Sequence, residues 1–158
     1  MGARSEALAA QLEEKVQQAM ATLEGLSDAE WKKTTADEKW SVGVTAHHIA
    51  SVPQTISKAI KALLAGESLD FGGKTIDAIN AKHAKDYVDC TKAETVDLLK
   101  KGSAVAAATV RGLSDDQLAK SGMIVPGAPP MTVEQLITGG LINHLDQHFG
   151  SIQKTVGR

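Results

Sequence analysis

Two of the five histidines in the chain lie four residues apart, in the segment NHLDQHF at positions 143–149. On an α-helix, side chains at i and i+4 project from the same face about one turn apart. His144 and His148 can therefore bind one cation together. A helical histidine pair is a weak signal by itself, because such pairs also occur as ordinary packed residues. A third ligand would strengthen the interpretation.

The candidate third ligand comes from the segment TAHHIA at positions 45–50, which offers His47 and His48. At roughly 100° per residue, the apolar residues of this helix centre between Ile49 and Ile56. His48 falls on the flank of that apolar arc, whereas His47 falls nearly opposite, among polar residues. We therefore predict that His48 faces the protein interior and that His47 is exposed to solvent. His83, in a lysine-rich stretch, is not expected to be a ligand.

On the last helix, His144 and His148 fall within or beside the apolar arc. The arc consists of Val133, Ile137, Leu141, Leu145 and Ile152. Asp146 falls on the other side and is predicted to face solvent. Gly140 and Ser151 lie near the histidines and leave space beside them. No acidic residue falls on the histidine face, so the sequence indicates no general base.

Four long amphipathic helices are predicted to position these residues. They cover roughly 5–24, 41–65, a segment that begins at the capping box TKAE (91–94), and a segment from the capping box TVEQ (132–135) to about 155. A short extra helix is expected between the second and third, and no strand is predicted. GLSDAEW (25–31) and GLSDDQL (112–118) repeat one helix-stop and capping signal, which indicates two related helix pairs.

This pattern predicts an all-α antiparallel four-helix bundle, a fold that builds metal sites from side chains on facing helices. If the second and fourth helices are neighbours, His48 joins His144 and His148. Three neutral imidazoles with one side open suit Zn²⁺, Ni²⁺ or Fe²⁺, and an open side implies bound water.

Composition limits the other function classes. The chain has 158 residues and a formal net charge of −2, with both signs interspersed. We expect a single domain over 1–158, and no binding of nucleic acid or of membranes. The one cysteine, Cys90, cannot form an internal disulfide, and no signal peptide is recognised, so a cytoplasmic location is expected.

Two segments resemble the DinB/YfiT-like metalloprotein superfamily. In EKWSVGVTAHHIA (38–50), a tryptophan precedes His48 by eight residues, as in that family, and MTVEQLITGGLINHLDQHFGSIQ (131–153) resembles its last helix with paired histidines. The resemblance implies a four-helix bundle, a divalent metal bound by His48, His144 and His148, and a homodimer. It also suggests thiol-dependent chemistry, because relatives include mycothiol- and bacillithiol-dependent transferases and isomerases.

Three functions remain in competition at this point. The first is a metal-dependent enzyme in which the cation, preferably Zn²⁺ or Ni²⁺, activates a low-molecular-weight thiol for attack on a small electrophile, or activates water in a hydrolase. The second is a non-catalytic metal-binding module that acts in stress response or binds a partner. The third is a structural helical dimer whose histidines are merely packed.

Overall fold

Four long helical segments dominate the computed structural model, which describes residues 2–158. They are α1 (Ala3–Glu24), α3 (Val42–Leu64), α5 (Lys92–Arg111) and a final segment made of α7 (Val133–Gln135), a π-helix (Leu136–Asn143) and α8 (His144–Val156). Short helices α2 (Asp28–Trp31), α4 (Ile76–Asp86) and α6 (Asp115–Ala119) lie between them. The predicted four-helix bundle and its short extra helix α4 are confirmed.

The long helices pack in a closed ring around the core. α1 packs against α5, and α5 packs against α3. α3 packs against the π-helix and α8, and these two in turn pack against α1. The second and fourth long helices are therefore neighbours, as the metal-site prediction required. Within the described residues, each long helix lies diagonally across the bundle from a long helix next to it in the sequence. The diagonal pairs are α1 with α3 and α5 with α8.

Side-chain caps define where the helices begin. Ser27, Thr91, Ser114 and Thr132 each accept the backbone N–H three residues on, and the Glu or Gln at that position reaches back to complete a capping box. Ser41 caps α3 in the simpler way, by accepting the N–H of Val44 at 3.0 Å. All of these caps involve residues close in sequence, which is why the four capping boxes could be predicted.

Two predictions of secondary structure were wrong. Ser121–Gly122 and Met131–Thr132 form a small antiparallel pair on either side of the VPGAPP loop, where no strand was predicted, because two residues are too few to show an alternating pattern. The last helix is also not a regular α-helix throughout. Its π-helical stretch Leu136–Asn143 contains Gly139 and Gly140 and ends where His144 begins.

The core residues come from all four long helices. Leu8, Leu12, Ile49, Ile60, Leu99, Val110, Ile137, Leu141 and Ile152 are among the fully buried side chains. α3 and α8, the two helices that carry the candidate ligands, both contribute residues to this core. None of the helices in the described residues is long and apolar enough to cross a membrane.

Candidate metal centre

The structure brings His48, His144 and His148 together where α3 packs against α8. One ring nitrogen from each of the three lies within 4.8 Å of the others, and the ring centroids are 4.5–4.9 Å apart. His48 Nε2 and His144 Nε2 are 3.1 Å apart. Two nitrogens on one ion, with bonds of about 2.05 Å, lie about 2.9 Å apart at a right angle and about 3.3 Å apart at the tetrahedral angle. The observed separation fits a shared divalent ion.

Two of the histidines, His48 and His144, are held in the neutral form that a metal ligand needs. Burial, together with the neighbouring rings of His144 and His148, lowers the pKa of His48 to about 3. Burial and His148 lower the pKa of His144 to about 4. Both rings therefore carry a free lone pair at neutral pH, so a cation would not have to displace a proton from them.

A carboxylate that the sequence did not indicate orients the third histidine. Glu38 Oε1 lies 2.8 Å from His148 Nδ1, and Ser151 Oγ donates to Glu38 Oε2 at 2.7 Å. Desolvation opposes the charge on Glu38, but hydrogen bonds from Ser151, Thr35 and His148 outweigh it and lower the pKa of the carboxyl. The ionised carboxylate can only accept, so His148 donates from Nδ1 and presents the lone pair of Nε2 to its partners.

Glu38 belongs to a loop that contributes to the site on both sides of a strained residue. Lys39 has φ 63°, a left-handed conformation that costs a residue other than glycine roughly 1–2 kcal/mol. Its neighbours are Glu38, which contacts His148, and Trp40, whose ring meets His48 edge-on with centroids 5.4 Å apart. The Trp40 ring therefore packs directly against one of the three histidines.

The prediction that His47 is exposed was wrong. His47 is only 5% exposed, stacks on Tyr87 with ring centroids 3.9 Å apart, and lies with Nδ1 2.9 Å from His83 Nε2. The cause is α4, which packs over this face of α3 and carries His83. A helical projection of one segment cannot reveal a second helix that covers its polar face.

The predicted orientation of Asp146 was confirmed. Asp146 points away from the histidines and forms an ion pair with Lys15 at 2.6 Å. Cys90 is buried, its thiol donates to the carbonyl of Gly43, and desolvation raises its pKa, so it is not an activated nucleophile.

A cavity of about 410 Å³ adjoins the histidine cluster. His48 and His144 form part of its wall, and the remainder comes from α3, α4, the segment before α4 and the π-helix. Gly140 lines it, as its predicted role in leaving space required, and a Cβ there would lie 3.2 Å from side-chain atoms of Ile56 and Leu136. A second cavity of about 430 Å³ lies between Trp31 and Trp40, but none of the three histidines lines it. The first cavity therefore gives a small molecule access to His48 and His144.

The depressed histidine pKa values predict a loss of stability in mild acid for the metal-free protein. The unfolded chain takes up protons near pH 6.5, whereas folded His48 and His144 do so only near 3 and 4. The free energy of unfolding should therefore fall as the pH drops below about 6.5, by up to about 1.4 kcal/mol per pH unit for His48. Denaturant unfolding of chelator-treated protein at pH 7.5 and 5 measures this.

The matched control for the acid effect is His48→Gln, which removes one titrating ring and retains a polar side chain. Its free energy of unfolding should depend less steeply on pH than that of the wild type. Equal slopes for the two proteins would contradict the lowered pKa of His48.

The bundle and its cluster of three histidines define the class of protein. The sequence model of the DinB superfamily matches residues 11–152, and the chain therefore belongs to the DinB superfamily. The resemblance inferred from the two histidine segments is thereby confirmed. No functionally curated protein shows significant sequence similarity to the chain.

Solved structures with the same fold include two enzymes or candidate enzymes. YfiT from Bacillus subtilis, described as a "probable metal-dependent hydrolase with an unusual four-helix bundle topology", matches with a TM-score of 0.77 and 19% identity over 99% of this chain and 90% of its own. The mycothiol-dependent maleylpyruvate isomerase matches with a TM-score of 0.76 and 11% identity over 94% of this chain. This chain covers 60% of the isomerase. At these identities, the similarity establishes the fold.

Proposed function

We propose that this protein is a metal-dependent enzyme that activates a low-molecular-weight thiol, or water, for attack on a small electrophile. His48, His144 and His148 are its proposed metal ligands, with Zn²⁺ or Ni²⁺ preferred and Fe²⁺ as a further candidate. One observation carries the proposal: three imidazoles converge, and two of them, His48 and His144, have Nε2 atoms 3.1 Å apart and line a cavity of about 410 Å³. Neutral nitrogen donors of this kind suit these three ions.

A divalent cation bound there would lower the pKa of a thiol or water that shares the site, and so supply the nucleophile at neutral pH. The three imidazoles carry no charge and leave the positive charge of the ion uncompensated, which favours an anionic nucleophile. Glu38 is the nearest acidic group, and it reaches the site only through His148. It fixes the ring orientation and tautomer of that histidine.

Glu38 is poorly placed to act as a general base. Both of its carboxylate oxygens are engaged, one by His148 and the other by Ser151. The cavity wall has no Asp or Glu among the described residues. We therefore propose that the nucleophile loses its proton to solvent. The lowered pKa of the thiol or water, rather than a protein base, would make this proton loss favourable.

The cavity favours an enzyme over the non-catalytic metal-binding module. A purely structural metal site is usually closed by a fourth protein ligand, whereas a catalytic site keeps one position accessible. The described residues give a three-membered ligand set with a cavity beside it. Thiol transfer and hydrolysis share this requirement. Of the two structural relatives, one is described as a mycothiol-dependent isomerase and the other as a probable metal-dependent hydrolase.

The test of the proposed function compares the metal-loaded wild type with His144→Ala. In the thiol reaction, the sulfur forms a bond to the ring carbon of chlorodinitrobenzene, chloride leaves with the bonding pair, and the thiol proton passes to solvent. N-acetylcysteine, mycothiol and bacillithiol serve as thiols, and para-nitrophenyl acetate tests hydrolysis. The wild type should accelerate one of these reactions, and His144→Ala should return the rate to background without unfolding.

Removal of the metal by a chelator should have the same effect as His144→Ala, and added Zn²⁺ or Ni²⁺ should restore the wild type only. The enzyme proposal is wrong if the metal-loaded wild type is no faster than His144→Ala in every assay, that is, with each thiol and with the ester. The non-catalytic metal-binding module would then be preferred.

Three further features remain predictions from the sequence: a single domain over 1–158, a homodimer and a cytoplasmic location. Sedimentation velocity at micromolar concentration tests the homodimer. A sedimentation coefficient corresponding to 16.6 kDa, the mass of one chain, would contradict it.

A further inference from the structure

The cavity beside the histidines has a mostly apolar wall. Five of its lining residues are apolar side chains: Val52, Ile56, Phe71, Ile76 and Ile79. Three are uncharged polar ones: Ser51, Thr55 and Asn80. His48 and His144, two of the proposed metal ligands, and His83 are the remaining lining side chains. A molecule in this cavity therefore meets apolar surface along most of its length and nitrogen donors at one side.

The wall also lacks ionic side chains. Among the residues that the structure describes, no Lys, Arg, Asp or Glu lines this cavity, whereas Lys32, Lys39 and Asp89 line the second cavity beyond Trp40. A carboxylate or phosphate placed against the apolar wall would lose hydration without gaining a cationic partner. Charge on the ligand is therefore disfavoured everywhere except at the histidine side.

The volume limits the size of the ligand. A cavity of about 150 Å³ accommodates benzene, and most small-molecule sites lie between about 300 and 1,000 Å³. At about 410 Å³, this cavity is near the lower end of that range and suits a molecule with one or two rings.

We propose that this cavity binds the electrophilic substrate and selects an uncharged, mostly apolar molecule, with Ile79 on α4 as a specificity-determining residue. The inference rests on the proposed function and adds the substrate class. α4 can tolerate substitution because none of its residues is fully buried and it packs on the bundle chiefly through α3. Ile79 itself is half-buried, so its replacement changes the cavity wall and leaves the core intact.

The test measures ligand binding to the metal-free protein, so that no cation contributes. The probes are para-nitroacetophenone and para-nitrobenzoate, which have nearly the same shape but differ in charge. Titration followed by NMR chemical shifts should show the ketone binding at least about tenfold more tightly, since an unpaired buried charge costs more than about 1.4 kcal/mol.

Ile79→Arg should reverse this preference by supplying a cation to the wall. We expect para-nitrobenzoate to bind at least about tenfold more tightly to Ile79→Arg than to the wild type, and the ketone to bind more weakly. Val105→Arg is the matched control, because Val105 is 53% exposed on α5 and lies outside this cavity. It adds the same charge to the protein and should leave both affinities unchanged.

Two results would overturn the inference: equal or tighter binding of the carboxylate by the wild type, or the same behaviour in Ile79→Arg and Val105→Arg. The inference would also be overturned if neither probe bound to the wild type. Metal content separates this failure from failure of the proposed function, because Ile79→Arg retains all three histidines. A variant that still binds one equivalent of Zn²⁺ but shows no change in ligand preference contradicts the substrate class alone.

Discussion

His48→Ala, His144→Ala and His148→Ala are each expected to lose stoichiometric metal, whereas His47→Ala and His83→Ala should retain it. Removal of one member leaves only two of the three imidazoles that form the candidate ligand group. Elemental analysis of protein purified without a polyhistidine tag, after dialysis against Zn²⁺, measures the content directly. The wild type should bind one equivalent per chain.

The comparison of the adjacent residues His47 and His48 is the decisive part of this experiment. His47 is buried against Tyr87 and His83, so its replacement should cost stability while the metal site remains. Circular dichroism checks that each variant is folded before its metal is measured. Equal metal losses for folded His47→Ala and His48→Ala would contradict the assigned ligand set.

Glu38→Gln should weaken metal affinity by about 10–100-fold, the range typical for loss of a residue that orients a ligating histidine. Glutamine can still accept a hydrogen bond from His148 Nδ1. It lacks the negative charge that makes the imidazole a stronger electron-pair donor to a metal ion. Glu38→Ala also removes the hydrogen bond, so its metal affinity should be no higher than that of Glu38→Gln. Competition with a chromophoric chelator measures the dissociation constants.

Glu30→Gln is the control for the loss of a carboxylate near this loop. Glu30 closes the capping box of α2 and lies 3.4 Å from Arg158, and it contacts none of the histidines. Its replacement should leave metal affinity unchanged. If Glu38→Gln and Glu30→Gln bind metal equally well, Glu38 does not orient His148 in the bound state.

The sequence predicted the bundle because its signals were local. Capping residues such as Thr91 and Thr132 act on backbone groups three residues away, and burial repeats with the helical period. The predicted orientations of His48 and Asp146 were right for the same reason. His144 and His148 both lie in α8, after the π-helix, so the altered pitch of Leu136–Asn143 does not change their spacing.

The parts that the sequence did not predict depend on contacts between distant segments. Glu38 reaches His148 across 110 positions, and its loop conformation requires the left-handed φ of Lys39, which a lysine does not indicate. A clue was present in its position two residues before Trp40, within the segment that resembles the family. His47 was assigned to solvent because nothing in its own helix shows that α4 packs over it.

The central claim is that three histidines hold a divalent ion with one position accessible from the cavity. X-ray absorption spectroscopy of the metal-loaded protein, with and without a bound thiol, measures that coordination directly. We expect three imidazole nitrogens at about 2.0–2.1 Å and a solvent oxygen that is replaced by sulfur when a thiol is added. A fourth protein ligand that closes the shell and persists when thiol is added would contradict the account.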